Sequence, residues 1–266
     1  MRGKGLSEAQ MERYQAHLAL PDFGPLGQRR LLDSRVLLVG IGGIGCPAAL
    51  YLAAAGVGGL TLVDDDTVEI TNLQRQVLYS EADLGKPKAE AAAHRLRAAN
   101  PDVRIEPHEV RLTASNARQI VEGHDLVLDG SDNFATRYVV NDAAVLGGVP
   151  LISGSLYRYE GQLLVVRPPE TACYRCVFRV APPEAPPCHD AGVLGAVAGV
   201  IGTLQAAEAI NLLARGSSGL AGRMLLVDAR EMRTRTVEVR PDPACPLCGS
   251  DPTIDRPTAV AVCETG

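Results

Sequence analysis

A glycine-rich turn followed by an acid is the first feature of this sequence that could bind a small molecule. Residues 40–45 read G-x-G-x-x-G after a short apolar run, and Asp64 ends the next apolar run. Glycine lets the backbone turn tightly and lets a phosphate approach the free N–H groups at the start of a helix. A carboxylate in the position of Asp64 can accept hydrogen bonds from ribose hydroxyls. The pattern predicts a nucleotide site; a glycine-rich turn without a ligand is the alternative.

Polar residues from three other parts of the chain could act on the phosphates of that nucleotide. Arg75 and Lys88 supply positive charge, Asn72 supplies an amide, and Asp132 supplies a carboxylate suited to Mg²⁺. Phosphoryl and nucleotidyl transfer need both kinds of group. Taken singly, each is explained equally well as a solvated surface residue or a helix cap; Asp132 could cap a helix that begins near Asn133. The prediction therefore depends on all four meeting at one edge of a sheet.

Four of the seven cysteines form two C-x-x-C pairs that are far apart in the sequence. Cys173 pairs with Cys176, and Cys245 pairs with Cys248. Two such pairs can make a tetrahedral thiolate site for zinc, with no position left open for catalysis. A redox disulfide within each pair is the competing interpretation. Two pairs in one chain, the second followed by Gly249, favour structural zinc.

Alternating strand and helix patterns would bring these residues together. Buried strands are predicted at 36–39, 60–63, 103–107, 125–129 and 150–153, and helices at 46–55, 87–99, 115–122 and 133–146. This alternation is typical of an α/β, Rossmann-like, doubly wound and mainly parallel sheet, in which ligands bind beyond the carboxyl ends of the strands. Later runs at 161–167, 222–229 and 232–239 have short links and predict antiparallel strands that extend the sheet.

The remaining segments are predicted from composition. A polar helix over 6–28, capped by Ser7, and a short helix over 26–33 precede the first strand, and the proline-rich stretch 168–190 is expected to be an exposed loop. The uncharged stretch 191–207 is predicted to be a buried helix, at a subunit interface, rather than a membrane span. Its glycines recur on one helical face, where small residues allow close packing. They are Gly192, Gly195, Gly199 and Gly202.

The bulk composition gives no indication of a nucleic-acid-binding or a secreted protein. The chain has 266 residues, of which 46% are apolar and 21% charged, and a net charge of −5. These values are ordinary for a globular protein and give no electrostatic case for a nucleic-acid partner. The first residues lack the apolar core of a secretory signal, so we expect a cytoplasmic protein with reduced cysteines.

Taken together, these motifs resemble the ThiF/MoeB/HesA family, relatives of the ubiquitin-activating enzymes. The resemblance covers residues 6–249 and is carried by GIGGIGCPAALYLAAAGVG, DDDTVEITNLQRQVL, GKPKAEAA, DGSDNFATRYVVNDA, both C-x-x-C pairs and GVIGTLQAAEAI. It implies a homodimer that uses ATP and Mg²⁺ to adenylate the C-terminal glycine of a small ubiquitin-like sulfur carrier ending in Gly-Gly, for cofactor synthesis or tRNA thiolation. No rhodanese-like domain is matched, so a separate sulfur donor (a cysteine desulfurase or rhodanese) is expected.

The resemblance also implies roles for particular residues. Arg75, Lys88, Asp132 and Cys188 form the expected catalytic set, and the paired cysteines hold zinc. The expected nucleotide-binding set is Gly40, Gly42, Gly43, Gly45, Asp64, Asp66, Thr71, Asn72, Leu73, Gln74, Arg75, Lys88, Asp132 and Asn133. Cys188 matches the family's reactive cysteine; a spare thiol is the alternative. We expect an N-terminal arm at 1–34, one adenylation domain at 35–250 and a flexible tail at 251–266.

One departure from the family pattern lies in the arm. Relatives carry R-Y-x-R-Q, whose second arginine reaches the partner subunit's ATP, whereas this chain has Ala16 at that place. Either Arg13 or His17 substitutes, or the chain is a weakly active scaffold that holds carrier and ATP. A third hypothesis, an NAD-dependent oxidoreductase, leaves Arg75 and Lys88 unexplained.

Overall fold

The computed structural model describes residues 5–180 and 192–259. The strands are β1 (Arg35–Val39), β2 (Gly59–Val63), β3 (Arg104–His108), β4 (Leu126–Asp129), β5 (Leu151–Tyr157), β6 (Glu160–Val166), β7 (Arg223–Asp228) and β8 (Arg233–Glu238). The helices are α1 (Glu8–Arg13), α2 (Gln15–Leu18), α3 (Gly24–Asp33), α4 (Gly45–Ala55), α5 (Lys88–Ala99), α6 (Ala117–Val121), α7 (Phe134–Gly147), α8 (Tyr174–Val177) and α9 (Gly195–Arg215).

All of these strands belong to one sheet, in the order β3-β2-β1-β4-β5-β6-β7-β8. The first five run parallel to one another, and β6, β7 and β8 continue the sheet antiparallel. The predicted α/β architecture is therefore confirmed. The chain winds from β1 outward to β3, then returns to place β4 on the other side of β1. This reversal leaves a crevice at the carboxyl ends of β1 and β4, where ligands bind in open α/β sheets.

Two apolar clusters cover the two faces of the sheet. Successive residues of a strand point to opposite faces, so Leu38 joins the cluster formed with α4, α5 and α9, while Leu37 joins the one formed with α6 and α7. Because both faces are buried, the central parallel strands β1 and β4 read as nearly continuous apolar runs in the sequence, whereas the edge strand β3 does not.

Helix α9 is long and apolar enough to cross a membrane by length and composition. It is instead a core helix, because it packs on α4, β5 and β6. A Cβ on Gly202 would collide with the carbonyl oxygen of Ile44 and lie 2.6 Å from Cγ of Pro47. Gly195 is similarly close to Gln74. The predicted glycine face is thus correct only in part: Gly199 has nothing within 4 Å of its Cβ position, and Gly192 precedes the helix.

Two predictions about local structure were wrong. The polar helix expected over 6–28 is interrupted at Tyr14 and again between Leu18 and Gly24. At Tyr14 the ring is buried and its hydroxyl accepts a 2.9 Å hydrogen bond from the buried Asn100 amide. The cap by Ser7 is confirmed. The loop expected over 168–190 contains α8, and residues 171–175 are buried. Cys173 in this stretch is 1% exposed, and its sulfur lies 3.6 Å from that of Cys245. Residues 181–190 of the predicted loop lie outside the described chain.

The segment expected to be a flexible tail begins with residues that pack against α7. Thr258 donates a backbone hydrogen bond of 3.1 Å to Asp142, and its carbonyl accepts one of 3.2 Å from Arg175. These bonds hold Thr258 against α7 and against Arg175, which lies within the first cysteine pair. Residues 260–266 lie outside the described chain.

Candidate functional site

A cavity of about 300 Å³ opens at the crevice between β1 and β4. It brings together residues that the sequence distributes over four connections, each at the carboxyl end of a strand. The predicted residues on its wall are Gly40, Gly42, Gly43, Asp64, Asp66, Arg75, Lys88, Asp132 and Asn133. The other members of the predicted set, Gly45, Thr71, Asn72, Leu73 and Gln74, are outside its lining among the described residues.

The glycine turn is fixed to the strands on both sides. Gly40 has φ +82°, and a Cβ there would stand 3.1 Å from the backbone of Gly130, so only glycine fits both the conformation and the space. The Asp64 carboxylate accepts hydrogen bonds of 2.7 Å from the Ile41 N–H and 3.0 Å from the Asp66 N–H. Burial raises the pKa of Asp64, and the charge of Lys88 opposes that rise.

The two predicted cations are held in different ways. Lys88 is the first residue of α5 and is only 5% exposed, and its ammonium donates a 2.8 Å hydrogen bond to the exposed carboxylate of Asp66. Arg75 donates a 2.9 Å hydrogen bond to the carbonyl of Thr71. Thr71 is therefore outside the cavity lining, and its backbone carbonyl instead orients the Arg75 guanidinium.

Asp132 presents an exposed carboxylate on the cavity wall, where it accepts a 3.4 Å hydrogen bond from the side-chain amide of Asn133. Asn133, not Asp132, caps α7, because its side chain accepts a 2.8 Å hydrogen bond from the Thr136 N–H. Asp132 is exposed and has no ion-pair partner among the described residues. An exposed carboxylate of this kind fits Mg²⁺, which binds through one or two carboxylates and keeps several waters.

Sequence reasoning missed three buried polar residues on the cavity wall, Gln76, Ser131 and Arg137. Gln76 is 3% exposed, and its Oε1 has no hydrogen-bond partner within the described chain. Arg137 is 7% exposed and donates a 2.9 Å hydrogen bond to the carbonyl of Ser131. The one available signal was position: Gln76 follows Arg75 directly, and Arg137 lies one helical turn beyond Asn133.

The four paired cysteines come together at the apolar cluster that contains α7. Their sulfur atoms lie within 4.8 Å of one another, with separations of 3.8 Å for Cys173–Cys176, 3.6 Å for Cys173–Cys245 and 3.4 Å for Cys176–Cys248. All four are free thiols, which excludes the disulfides of a redox pair in this structure. Tetrahedral ligands about 2.3 Å from Zn²⁺ stand ~3.8 Å apart. The cluster could therefore hold one such ion.

Hydrogen bonds within the cluster favour deprotonation of one thiol. The Cys173 thiol and the Asp242 N–H donate to the sulfur of Cys176 and lower the pKa of Cys176 to about 5. A thiolate is the form that binds metal. Cys188, the predicted reactive cysteine, lies outside the described residues.

A model of the ThiF family matches residues 14–247. The chain belongs to the ThiF family. It is 49% identical over 246 residues to the SAMP-activating enzyme E1 of Haloferax volcanii, which covers 92% of this chain and 91% of that protein. It is 48% identical over 254 residues to the sulfur carrier protein adenylyltransferase of Thermus thermophilus, covering 93% and 94% respectively. The predicted resemblance is thus confirmed.

The fold also matches a solved structure that contains a nucleotide. A crystal structure of E. coli MccB with ATP superposes with a TM-score of 0.75 at 25% identity, covering 84% of this ThiF-family chain and 68% of that one.

Proposed function

We propose that this chain is an adenylyltransferase that uses ATP to activate the C-terminal glycine of a ubiquitin-like sulfur carrier. The observation that carries the proposal is the cavity itself, where the glycine turn meets Asp64, Arg75, Lys88 and Asp132. The adenylyltransferase name of the Thermus relative and the ATP in the MccB structure support the same activity. An oxidoreductase would not need this set of cations and carboxylates.

The glycine turn and Asp64 would bind the nucleotide. The free N–H groups at the start of α4 attract phosphate, and the small residues leave room for it. The Asp64 carboxylate is already fixed by two backbone N–H groups, so it can offer its remaining acceptor sites to ribose hydroxyls without moving.

The cations would act on the leaving group. In the proposed step the carboxylate of the carrier's last glycine attacks the α-phosphorus of ATP, an O–P bond forms, and pyrophosphate leaves with the electron pair of the broken bond. Arg75 and Lys88 would stabilise the charge that develops on pyrophosphate, and Asp132 would hold Mg²⁺, which offsets the charge of the phosphates. Asp66 keeps the Lys88 ammonium beside the cavity.

The remaining assignments belong to the same proposal. The cysteine cluster would hold a structural Zn²⁺, and the enzyme would be a cytoplasmic homodimer that receives sulfur from a separate donor. Among the described residues, none from the arm lines the cavity, so a cation from the arm would have to reach the cavity of the partner subunit. Cys188 keeps its predicted role in attack on the adenylate or in sulfur transfer.

Carrier-dependent exchange of labelled pyrophosphate into ATP tests the proposal. Wild type should exchange, and Asp132→Ala should abolish the Mg²⁺-dependent rate without loss of fold, since it removes only an exposed carboxylate. Asp251→Ala, an exposed acid outside the cavity lining, is the matched control and should behave as wild type. Absence of exchange in wild type with a verified carrier would refute the activity, and a near-normal rate in Asp132→Ala would refute the metal assignment.

A further inference from the structure

A buried tyrosine between β2 and α5 contacts two parts of the nucleotide site from behind the cavity wall. Tyr79 is 8% exposed and is outside the cavity lining of the described chain. Its hydroxyl lies 2.8 Å from the carbonyl oxygen of Ile41, in the glycine turn, and 3.2 Å from the carbonyl oxygen of Lys88, at the start of α5. One side chain thus joins the glycine turn to the helix that carries a predicted cation.

The Ile41 carbonyl is held by side chains rather than by the backbone. It accepts hydrogen bonds from the Tyr79 hydroxyl and, at 3.3 Å, from the thiol of Cys46, and from no backbone N–H of the described residues. A thiol is a weak donor. Burial raises the pKa of Tyr79, so its hydroxyl keeps its one proton, and the shorter of its two contacts is to Ile41. The hydroxyl is therefore the main group that fixes the direction of this carbonyl.

The same peptide unit carries an N–H group that has no partner in the described part of the chain. The peptide between Ile41 and Gly42 is trans, so the Gly42 N–H points opposite to the Ile41 carbonyl. The carbonyl faces the buried Tyr79, and the N–H is directed away from it, toward the cavity that Gly42 lines. Neither a backbone nor a side-chain acceptor among the described residues takes a hydrogen bond from this N–H.

We propose that Tyr79 is a positioning residue that aims the Gly42 N–H at a phosphate of the nucleotide. By holding the Ile41 carbonyl, its hydroxyl sets the rotation of the peptide unit, while the Asp64 carboxylate holds the Ile41 N–H on the other side of the same residue. A donor that is oriented in advance stabilises charge without having to reorganise. The inference rests on the proposed function, because it requires a nucleotide in the cavity.

The loss of a single hydroxyl tests the inference against a control of the same kind. Tyr79→Phe keeps the ring and removes the hydroxyl. Tyr138→Phe, the control, also removes a hydroxyl that donates to a carbonyl, at 2.7 Å to Phe178, from a buried residue outside the cavity lining. Because a hydrogen bond to a charged group contributes roughly ten- to hundredfold and the Gly42 N–H is misdirected rather than lost, Tyr79→Phe should raise the Kd for ATP·Mg²⁺ about fivefold or more. Tyr138→Phe should keep a Kd close to that of wild type.

Adenosine separates an effect on the phosphates from a general loss of structure. Adenosine has the base and the ribose of ATP but no phosphate, so Tyr79→Phe should leave its affinity, measured by competition with ATP, at the wild-type value. Equal losses of affinity for ATP and adenosine in Tyr79→Phe, or a wild-type Kd for ATP, would overturn the inference.

A measurement on the wild-type protein does not depend on how the tyrosine variants fold. Labelling isoleucine with ¹³C at the carbonyl and glycine with ¹⁵N selects the Ile–Gly peptides of the sequence, which are 41–42, 44–45 and 201–202. Gly42→Ala identifies the Gly42 signal, and its Cβ would make only an ordinary contact of 3.7 Å with Gln76. ATP·Mg²⁺ should shift the Gly42 amide proton downfield, whereas the Gly202 amide, bonded inside α9, should move little. An unmoved Gly42 amide in the ATP complex would overturn the inference.

The same labels report directly on the hydroxyl. In Tyr79→Phe the Ile41 carbonyl signal should move and the ATP-induced shift of Gly42 should shrink; if both signals match wild type, the inference fails and the proposed function is untouched. If both changes occur yet wild type never exchanges pyrophosphate with a verified carrier, the proposed function fails and the inference stands. If wild type binds no ATP, both fail.

Discussion

At the scale of single residues, the acids of the cavity differ in what surrounds them. Asp64 is fixed by two backbone N–H groups and has a raised pKa, Asp66 is paired with Lys88, and Asp132 is exposed. These environments suit three tasks: a rigid acceptor, a holder of a cation and a ligand for Mg²⁺. The residue types alone could not assign these tasks, because the assignment depends on the partners that the fold supplies.

The importance of Lys88 can be tested against a neighbour of the same type. Lys88→Ala should slow carrier-dependent adenylation by roughly 10²-fold, the scale for losing one preorganised charge at a reacting centre. Lys86→Ala is the control, because the Lys86 ammonium pairs with Asp83 at 3.0 Å and is outside the cavity lining. Equal rates in the two variants, measured by pyrophosphate exchange, would contradict the role of Lys88.

A partly buried histidine should make stability depend on pH. Burial lowers the pKa of His124, whose ring nitrogen lies 2.8 Å from the Thr61 hydroxyl. The unfolded chain protonates first as pH falls below about 6.5, so the stabilisation present above that value is lost as pH falls toward the folded pKa. His124→Gln should flatten the fall in Tm between about pH 7 and 5. The exposed His94→Gln should keep the wild-type slope; the same slope in both variants would exclude His124 as the cause.

At the scale of elements, the glycine turn depends on helices distant in sequence as well as on its own strand and helix. Gly202 of α9 lies against the carbonyl of Ile44, which belongs to the turn. The strand–turn–helix–strand unit from 35 to 63 could be predicted to within one residue at its ends, because its apolar runs and glycines are local signals. The break at Tyr14 could not be predicted, because it accompanies a hydrogen bond with the distant Asn100.

The contact between α9 and the turn can be tested with two glycines of one helix. Gly202→Ala should cost roughly 1–3 kcal/mol of unfolding free energy, the range for overpacking, and should weaken ATP binding because the turn must shift. Gly199→Ala should keep or raise stability, by up to about 1 kcal/mol from helix propensity, because its Cβ position has nothing within 4 Å. Urea denaturation measures the free energy of unfolding of both variants. Equal losses of stability would mean that the helix face with Gly199 is packed as closely as the face with Gly202.

At the scale of the whole molecule, the cysteine cluster joins segments that the chain keeps far apart. Cys173 and Cys176 follow β6, whereas Cys245 and Cys248 follow β8, so an ion bound there closes a long loop around the antiparallel strands. The sequence predicted this convergence, because four cysteines in two chelating pairs have few other uses in a reducing compartment.

If the cluster holds zinc as proposed, chelation should destabilise the fold around the four cysteines. We expect elemental analysis to find one zinc per chain, and chelation to lower the Tm, because structural zinc contributes on the order of 10 kcal/mol to the folding of zinc-finger peptides. Adding zinc back under reducing conditions should restore the wild-type Tm. Protein purified without stoichiometric zinc, or with disulfides inside each pair, would contradict the assignment.

The arm provides a test of the proposed homodimer. His17 is held by a 2.9 Å contact with the buried Gln28, whereas Arg13 is exposed and donates one long hydrogen bond of 3.4 Å to the carbonyl of Ala99. We therefore expect Arg13 to replace the cation missing at Ala16. Arg13→Ala should then slow exchange at least tenfold, and Ala16→Arg should change it little. The basis is that a cation supplied in trans to a phosphate contributes several orders of magnitude in other systems.

Mixed dimers decide whether Arg13 acts across the interface. Subunits carrying Arg13→Ala and subunits carrying Asp132→Ala should each be slow alone and regain activity when mixed, because one site of the mixed dimer has both residues. Failure to complement, with mixed dimers demonstrated by mass, would show that Arg13 does not serve the partner's site.

The crossing of α9 over the glycine turn also has a consequence for biosynthesis. The ribosome synthesises the glycine turn at residues 40–45 early, whereas the helix that packs against this turn begins only at Gly195. At about 5–20 residues per second, roughly 8–30 s separate the two events. During this interval the nascent chain exposes the apolar surface that α9 later covers, so we expect chaperones to bind there. A stalled chain ending before residue 195 should retain no ATP analogue on the ribosome, whereas one stalled after α9 has emerged should retain it.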